Sequence, residues 1–212
     1  MKTDEFIAFL AKGSAVEPTP ALRNKLFWAF SMAGLLSLAL AFTIIGAQPA
    51  EALMTPTPWM KFAYTVSLAV AATFLTIRLA RPVANRRAPS VCLGLVLLAM
   101  LAYGAYYLAI TPEEAKGQTL FGQTSLLCPW LVLLVSLPGL FVLQIALRAF
   151  GPVQLSQAGF ACGLLAGAIG ATAYALACPE DSPTFVAVWY TLGIVLTSAV
   201  GAISGRWLLR WD

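Results

Sequence analysis

Histidine is absent from this 212-residue chain, and charge is scarce. Without imidazole there is no His-ligated metal or haem, no Ser-His-Asp triad and no histidine proton relay. Charged residues make up 10% of the chain, against about 25% in a typical soluble domain. With 60% apolar residues, the chain is too poor in charge for an ordinary soluble domain and too apolar for a disordered one. Its four cysteines, Cys92, Cys128, Cys162 and Cys178, are too few and too dispersed for a disulfide-stapled scaffold. Basic residues exceed acidic ones by only 13 to 9, so their placement matters more than their sum.

What the chain has is long apolar runs. A hydrocarbon core about 30 Å thick needs roughly 20 apolar residues in a helix. Six segments meet that requirement, near 26–47, 59–79, 89–110, 127–147, 157–177 and 184–205. They predict an all-α, polytopic membrane protein with six transmembrane helices. The polar remainder is the first 25 residues and a loop at 111–125. The first apolar run is longer than a signal-peptide core, and Asp4, Glu5 and Glu17 precede it, which favours a retained anchor. With the N-terminus inside, eleven of the 13 basic residues fall in cytoplasmic stretches, leaving Lys61 and Lys116 outside. The positive-inside rule therefore places both termini in the cytoplasm. Trp59, Trp130, Trp207, Trp211, Tyr106 and Tyr107 fall near the expected interfaces, as aromatic belts do.

No ionisable side chain lies in the middle of a span, which argues against an ion-coupled pump. Gln144 and Gln157 are the largest uncharged polar groups near a span and suit interhelical hydrogen bonds or interfacial positions. Small residues recur at four-residue spacing: Gly163, Gly167 and Ala171 in span five, and Gly193, Thr197, Gly201 and Gly205 in span six. Each set shares one helix face and permits close packing within one bundle, with homodimerisation as the alternative use. Pro138 removes a backbone donor inside span four and is a candidate switch hinge.

Topology sorts the cysteines. Cys92 and Cys162, toward the cytoplasmic ends of spans three and five, read as buried small apolar residues. Cys128 opens span four and Cys178 closes span five, both at the outer interface, where disulfides persist. Pro129 suits a first helical turn, making Cys128 an N-terminal residue of its helix. A helix N-terminus stabilises a thiolate, whereas Cys178 sits at a helix C-terminus before Glu180 and Asp181. If the pair does thiol chemistry, Cys128 is the better first nucleophile and Cys178 the resolving partner. A functional redox pair, a static disulfide and unlinked packing all fit. The two thiols with Glu180 and Asp181 match no strong metal motif, so no metal site is assigned.

Residues 3–12 read as a short amphipathic helix, capped by Thr3, with Asp4 and Glu5 at its positive end and Gly13 past its finish. Phe6, Ile7 and Leu10 form one apolar face, with Phe9 at its edge. So short a helix needs a surface to stabilise it, either a protein groove or lipid headgroups. Pro18 and Pro20 break the linker that follows. The chain thus divides into a cytoplasmic leader, 1–25, and a six-helix sensor domain, 26–212.

The opening Met-Lys-Thr-Asp-Glu-Phe-Ile of residues 1–7, the six spans, the outer Cys128 and above all the block Cys-Pro-Glu-Asp-Ser-Pro-Thr-Phe-Val-Ala-Val-Trp-Tyr from Cys178 to Tyr190 resemble the NrsF-type membrane anti-sigma factors. The resemblance spans the whole chain, and the Cys178 block is its specific part. It implies a bacterial inner-membrane protein that sequesters an extracytoplasmic-function sigma factor, with no enzymatic activity, no cofactor and no direct nucleic-acid contact. It maps the docking element onto residues 1–25, hence onto Phe6, Ile7, Phe9 and Leu10. It maps the family's outer cysteine pair onto Cys128 and Cys178, as sensors of oxidant or metal stress. The expected mechanism is a two-state switch in which the leader, with the loop 78–88, holds the sigma factor until the cysteine pair changes state. Alternatively, Arg81, Arg86 and Arg87 serve only to enforce topology and meet anionic lipid. The competing functions are a membrane thiol oxidoreductase, which would want a close Cys-x-x-Cys or a quinone site, and a small permease or channel, which would want a polar path through the bundle.

Overall fold

The computed structural model describes residues 20–49, 51, 54–80 and 87–210, with side chains from Asn24 onward. Seven helices are present among them and no strand. Six are long and apolar enough to cross a membrane: α1 (Pro20–Ile44), α2 (Pro56–Leu79), α3 (Arg87–Ile110), α5 (Cys128–Arg148), α6 (Leu155–Ala175) and α7 (Pro183–Leu208). All six expected spans are there, with ends shifted by a few residues. The polar 111–125 segment, expected as a loop, instead holds a short helix, α4 (Glu113–Phe121). Glu113 and Glu114 occupy its first turn, where acidic side chains complement the helix dipole, and Gly122 ends it with a positive φ of 52°.

Helix α6 is the axis of the bundle, since 78% of its most apolar stretch is buried. Its partners are α7, α2, α5 and α1. By contrast, α3 is 17% and α1 22% buried, and their outer faces carry Leu35, Val91, Leu95 and Leu98 in the open. An apolar outer shell around a small-residue core is the pattern lipid would cover. The tightest seam joins α6 to α7. A side-chain carbon at Gly163 would stand 2.5 Å from the Ser198 Cα, and one at Gly205 would stand 2.8 Å from the Gly159 Cα. The small-residue faces therefore pack within the chain, backbone against backbone.

Most buried polar side chains bond either to their own helix or across to a neighbouring one. Gln144 donates to the Gly201 carbonyl at 2.9 Å and to Ser204 Oγ at 3.0 Å, the interhelical role expected of it. Thr65, Thr76, Ser136, Thr197 and Ser198 donate to carbonyls of their own helices. Helix α5 continues through Pro138, which leaves the Leu134 carbonyl without its usual helical donor. Helix α1 lies against this turn. Ser37 Oγ donates to the Val135 carbonyl at 3.0 Å, and Gly139 leaves room for Ala33. Of the two cysteines expected to be buried in packing, Cys162 is buried but Cys92 is exposed. The reason is the peripheral place of α3, most of whose surface faces outward.

Candidate functional site

Cys128 and Cys178 lie at the same end of the bundle. Cys128 is the first residue of α5, ahead of Pro129 in the first turn, and its N–H donates to the Thr124 carbonyl at 2.8 Å. Cys178 follows α6, its N–H closing the last turn on the Tyr174 carbonyl at 2.9 Å. The helix-start and helix-end positions are as expected. Both side chains have 0% exposure, and both thiols are free. The α4 segment and the loop between α6 and α7 are tied to each other at this end of the bundle and form its roof, a convergence no local pattern announces.

The thiols converge on a tyrosine. The Tyr174 hydroxyl is an electrostatic neighbour of both Cys128 and Cys178. Tyr174 packs on Tyr190 with ring centroids 5.4 Å apart. The Tyr190 hydroxyl is fully buried and has no hydrogen-bond partner, although Cys178 is its neighbour. A buried hydroxyl left without a partner costs of order 1–3 kcal/mol. Tyr190 ends a π-helical turn, Val186–Tyr190, within α7, and π turns are frequent at functional sites. This turn lies within the Cys178–Tyr190 block that carries the specific sequence resemblance.

The roof is tied down by Glu180. Its Oε1 accepts from the Gln123 N–H at 2.7 Å, the Thr124 N–H at 3.1 Å and the Thr124 hydroxyl at 3.0 Å. One carboxylate two residues after Cys178 thus holds the turn that leads into Cys128. Gly122 is favoured here by its left-handed φ, and the Glu180 carboxyl group lies against it, 2.7 Å from where a side-chain carbon would stand. Ser182 Oγ donates to the Thr119 carbonyl at 2.7 Å, and Trp189 Nε1 to the Leu120 carbonyl at 2.8 Å. Thr184 Oγ1 donates to the Gly104 carbonyl at 2.8 Å, anchoring α3 to the same turn.

Beneath the roof lies a lysine. Lys61, one of the two basic residues expected on the outer side, is in the second turn of α2 with 0% exposure. Its ammonium donates to the Cys178 carbonyl at 3.0 Å and stands 3.8 Å from Asp181 Oδ1. The Gln48 side-chain amide, from the stretch just after α1, donates to the same Cys178 carbonyl. Sequence reasoning missed Lys61, Gln48, Tyr174 and Tyr190. A single lysine set into an apolar run was the visible signal for the first. The others are ordinary residues until the fold gathers them.

No group of three or more Cys, Asp or Glu side chains suited to a metal ion occurs among the described residues. Pro138 sits midway along α5, against α1. Phe6, Ile7, Phe9 and Leu10 lie outside the described residues, as do Arg81 and Arg86. At the end of the bundle opposite the cysteine pair, a largely apolar cavity of about 690 Å³ opens between Phe27, Phe30, Thr76, Leu147, Phe150 and Cys162.

No solved structure matches the chain. A family model described as a negative regulator of sigma F matches residues 10–211. A relative from Azospira oryzae named as a probable anti-sigma-F factor is 36% identical over 213 residues, covering all of both chains. The anti-sigma-F factor of Caulobacter vibrioides is 34% identical over 215 residues, again covering both chains completely. With six apolar helices, a roofed thiol pair and matches along its full length, this chain belongs to the NrsF family of negative regulators of sigma F.

Proposed function

We propose that the chain is an anti-sigma factor of the bacterial inner membrane, with both termini cytoplasmic, that sequesters an extracytoplasmic-function sigma factor through residues 1–25 and releases it when Cys128 and Cys178 change state. The observation that carries this reading is the convergence of the two thiols under one roof: both buried, both free and both beside the Tyr174 hydroxyl. Cysteines 50 positions apart are brought together at the bundle end that the positive-inside rule puts outside. Oxidation is a balanced two-electron step. A hydroperoxide accepts two electrons from the thiols, the sulfurs join, and the two thiol protons leave in water and an alcohol. The roof and the Tyr174–Tyr190 pair must repack around the shorter sulfur–sulfur distance.

A second reading keeps the same residues: the two thiols bind a soft monovalent cation as thiolates, losing one proton each to solvent. Two sulfurs without a third Cys, Asp or Glu ligand in the described residues suit two-coordinate soft-metal chemistry. In both readings the signal acts by favouring one bundle arrangement over another. In this reading the turn at Pro138 absorbs the difference, supported by the Ser37 bond to the Val135 carbonyl beside it. The apolar face of Phe6, Ile7 and Leu10, with Phe9, then presents a helix to a groove on the sigma factor.

Pull-down from membranes tests this. The full chain should retain its sigma factor and lose it on treatment with hydroperoxide or a soft cation. A chain lacking residues 1–25 should not retain it. The double variant Cys128→Ser with Cys178→Ser should insert, retain the sigma factor and fail to respond. A leader-deleted chain that retains the sigma factor refutes the docking role. A double serine variant that still responds refutes the sensor role.

A further inference from the structure

We infer that Lys61 and Gln48 are the positioning residues that read the state of Cys178 and hand it to the first two spans; this rests on the sensor reading above. The geometry is a clamp on one atom. The Cys178 carbonyl accepts from Lys61 Nζ at 3.0 Å and also from the Gln48 side-chain amide, so both of its lone pairs are engaged. Neither donor is local: one is 117 and the other 130 residues away in the chain. Gln48 is bound a second time, its N–H donating to the Leu176 carbonyl at 3.3 Å. The stretch that follows the outer end of α1 is therefore fastened to the Cys178 turn.

The lysine makes the clamp sensitive. An ammonium with no solvent exposure must be paired, because burying it alone is far costlier than burying an amide. Its partners are the Cys178 carbonyl and Asp181, and the Asp181 contact at 3.8 Å is to a carboxylate that is itself mostly exposed. The carbonyl is the close partner. Any change at the Cys178 sulfur that turns this residue's backbone removes that partner, and the ammonium must then move outward toward Asp181 and water. It cannot move without α2, in whose second turn it sits. One turn further on, Tyr64 is hydrogen-bonded to Thr191 of α7 at 2.6 Å, so the shift reaches the helix that bears the π turn. Lys61 is also an electrostatic neighbour of Cys128.

The clamp is closed in the structure with free thiols, so it holds the arrangement that retains the sigma factor. Loss of the clamp should mimic the signal. The test uses the full-length chain in membranes with its sigma factor, measuring the hydroperoxide dose for half-release alongside the amount of chain in the membrane. Lys61→Met removes the ammonium while keeping apolar length, and Gln48→Leu removes the second donor. At wild-type membrane levels, both should release at lower dose, Lys61→Met by at least about tenfold, the order set by losing a charge-assisted hydrogen bond. Combining Lys61→Met with the two cysteine-to-serine substitutions should still weaken retention, since the clamp acts after the thiols, whereas the serine pair alone retains. Lys61→Arg, which keeps the charge and a donor, should move the half-release dose back toward that of the wild type. Wild-type dose dependence in both Lys61→Met and Gln48→Leu overturns the clamp and leaves the sensor reading standing. A response that survives in the serine pair overturns the sensor reading instead. Should Lys61→Met fail to accumulate, Gln48→Leu, outside any helix, decides the matter alone.

Discussion

Removing the Glu180 side chain should unroof the thiol pair by a predictable amount. The carboxylate accepts three hydrogen bonds, at 2.7, 3.0 and 3.1 Å, from the turn before Cys128. Bonds to a charged acceptor contribute about 1.5–3 kcal/mol each when fully counted. Glu180 is only half-buried, and in Glu180→Ala the freed donors recover water, so the net loss is closer to about 2 kcal/mol in all. Two further ties remain, from Ser182 and Trp189, so the roof loosens without detaching. A buried thiol reacts only through local opening, and every 1.4 kcal/mol is tenfold in that equilibrium. Alkylation of Cys128 and Cys178 in purified, reduced, full-length protein should therefore accelerate by about 10–30-fold. Mass spectrometry of each cysteine peptide reads this directly. Cys92, exposed on α3, is the internal reference and should not change. Glu180→Gln, which keeps an acceptor oxygen, should fall between. If both thiols in Glu180→Ala label within twofold of wild type, the roof is not what protects them.

Other consequences follow from the same contacts. Gly201→Ala places a carbon 2.9 Å from the Gly163 Cα and against the Gly159 carbonyl; overpacking of backbone on backbone should destabilise by about 1–3 kcal/mol and lower the thermal midpoint of the solubilised protein. Gln144→Leu deletes the bond to Gly201 and should cost less, about 0.6 kcal/mol on the average for such interhelical bonds. Pro138→Ala restores a donor to the Leu134 carbonyl; as a hinge, Pro138 should need a higher oxidant dose for release once replaced, with retention intact. Tyr190→Phe removes a hydroxyl that has no partner, so it should leave stability unchanged or improved while altering the oxidant dose for release.

The spans were legible because an apolar run of about 20 residues is a local property of the sequence. Pro129 and the C-terminal position of Cys178 were legible for the same reason, since helix ends have local signatures. The assembled site was not. Cys128, Tyr174, Cys178 and Tyr190 come from three helices and the loop between two of them, and only tertiary packing brings Lys61 and Gln48 to the same carbonyl. Helix α4 escaped notice because its nine residues are polar and follow no membrane pattern. Lys61 was counted as an outer charge because its position near a span end is equally compatible with exposure. What distinguishes it is burial, a property of neighbours 117 residues away. The Cys178–Tyr190 block stood out as a unit, and its physical content is now visible in part: Glu180 ties the roof, Ser182 caps the next turn through the Phe185 N–H, Trp189 holds α4, and Tyr190 faces the thiol.

The central claim is that the chemical state of one thiol pair sets sigma-factor retention. It is tested most directly by measuring both in the same membranes, titrating hydroperoxide and following the Cys128–Cys178 linked peptide by mass spectrometry as bound sigma factor is quantified. The account predicts that linkage and release rise together over one dose range and reverse together on reduction. Release that is complete while Cys128 and Cys178 both remain free thiols, or complete linkage with the sigma factor still bound, would contradict it.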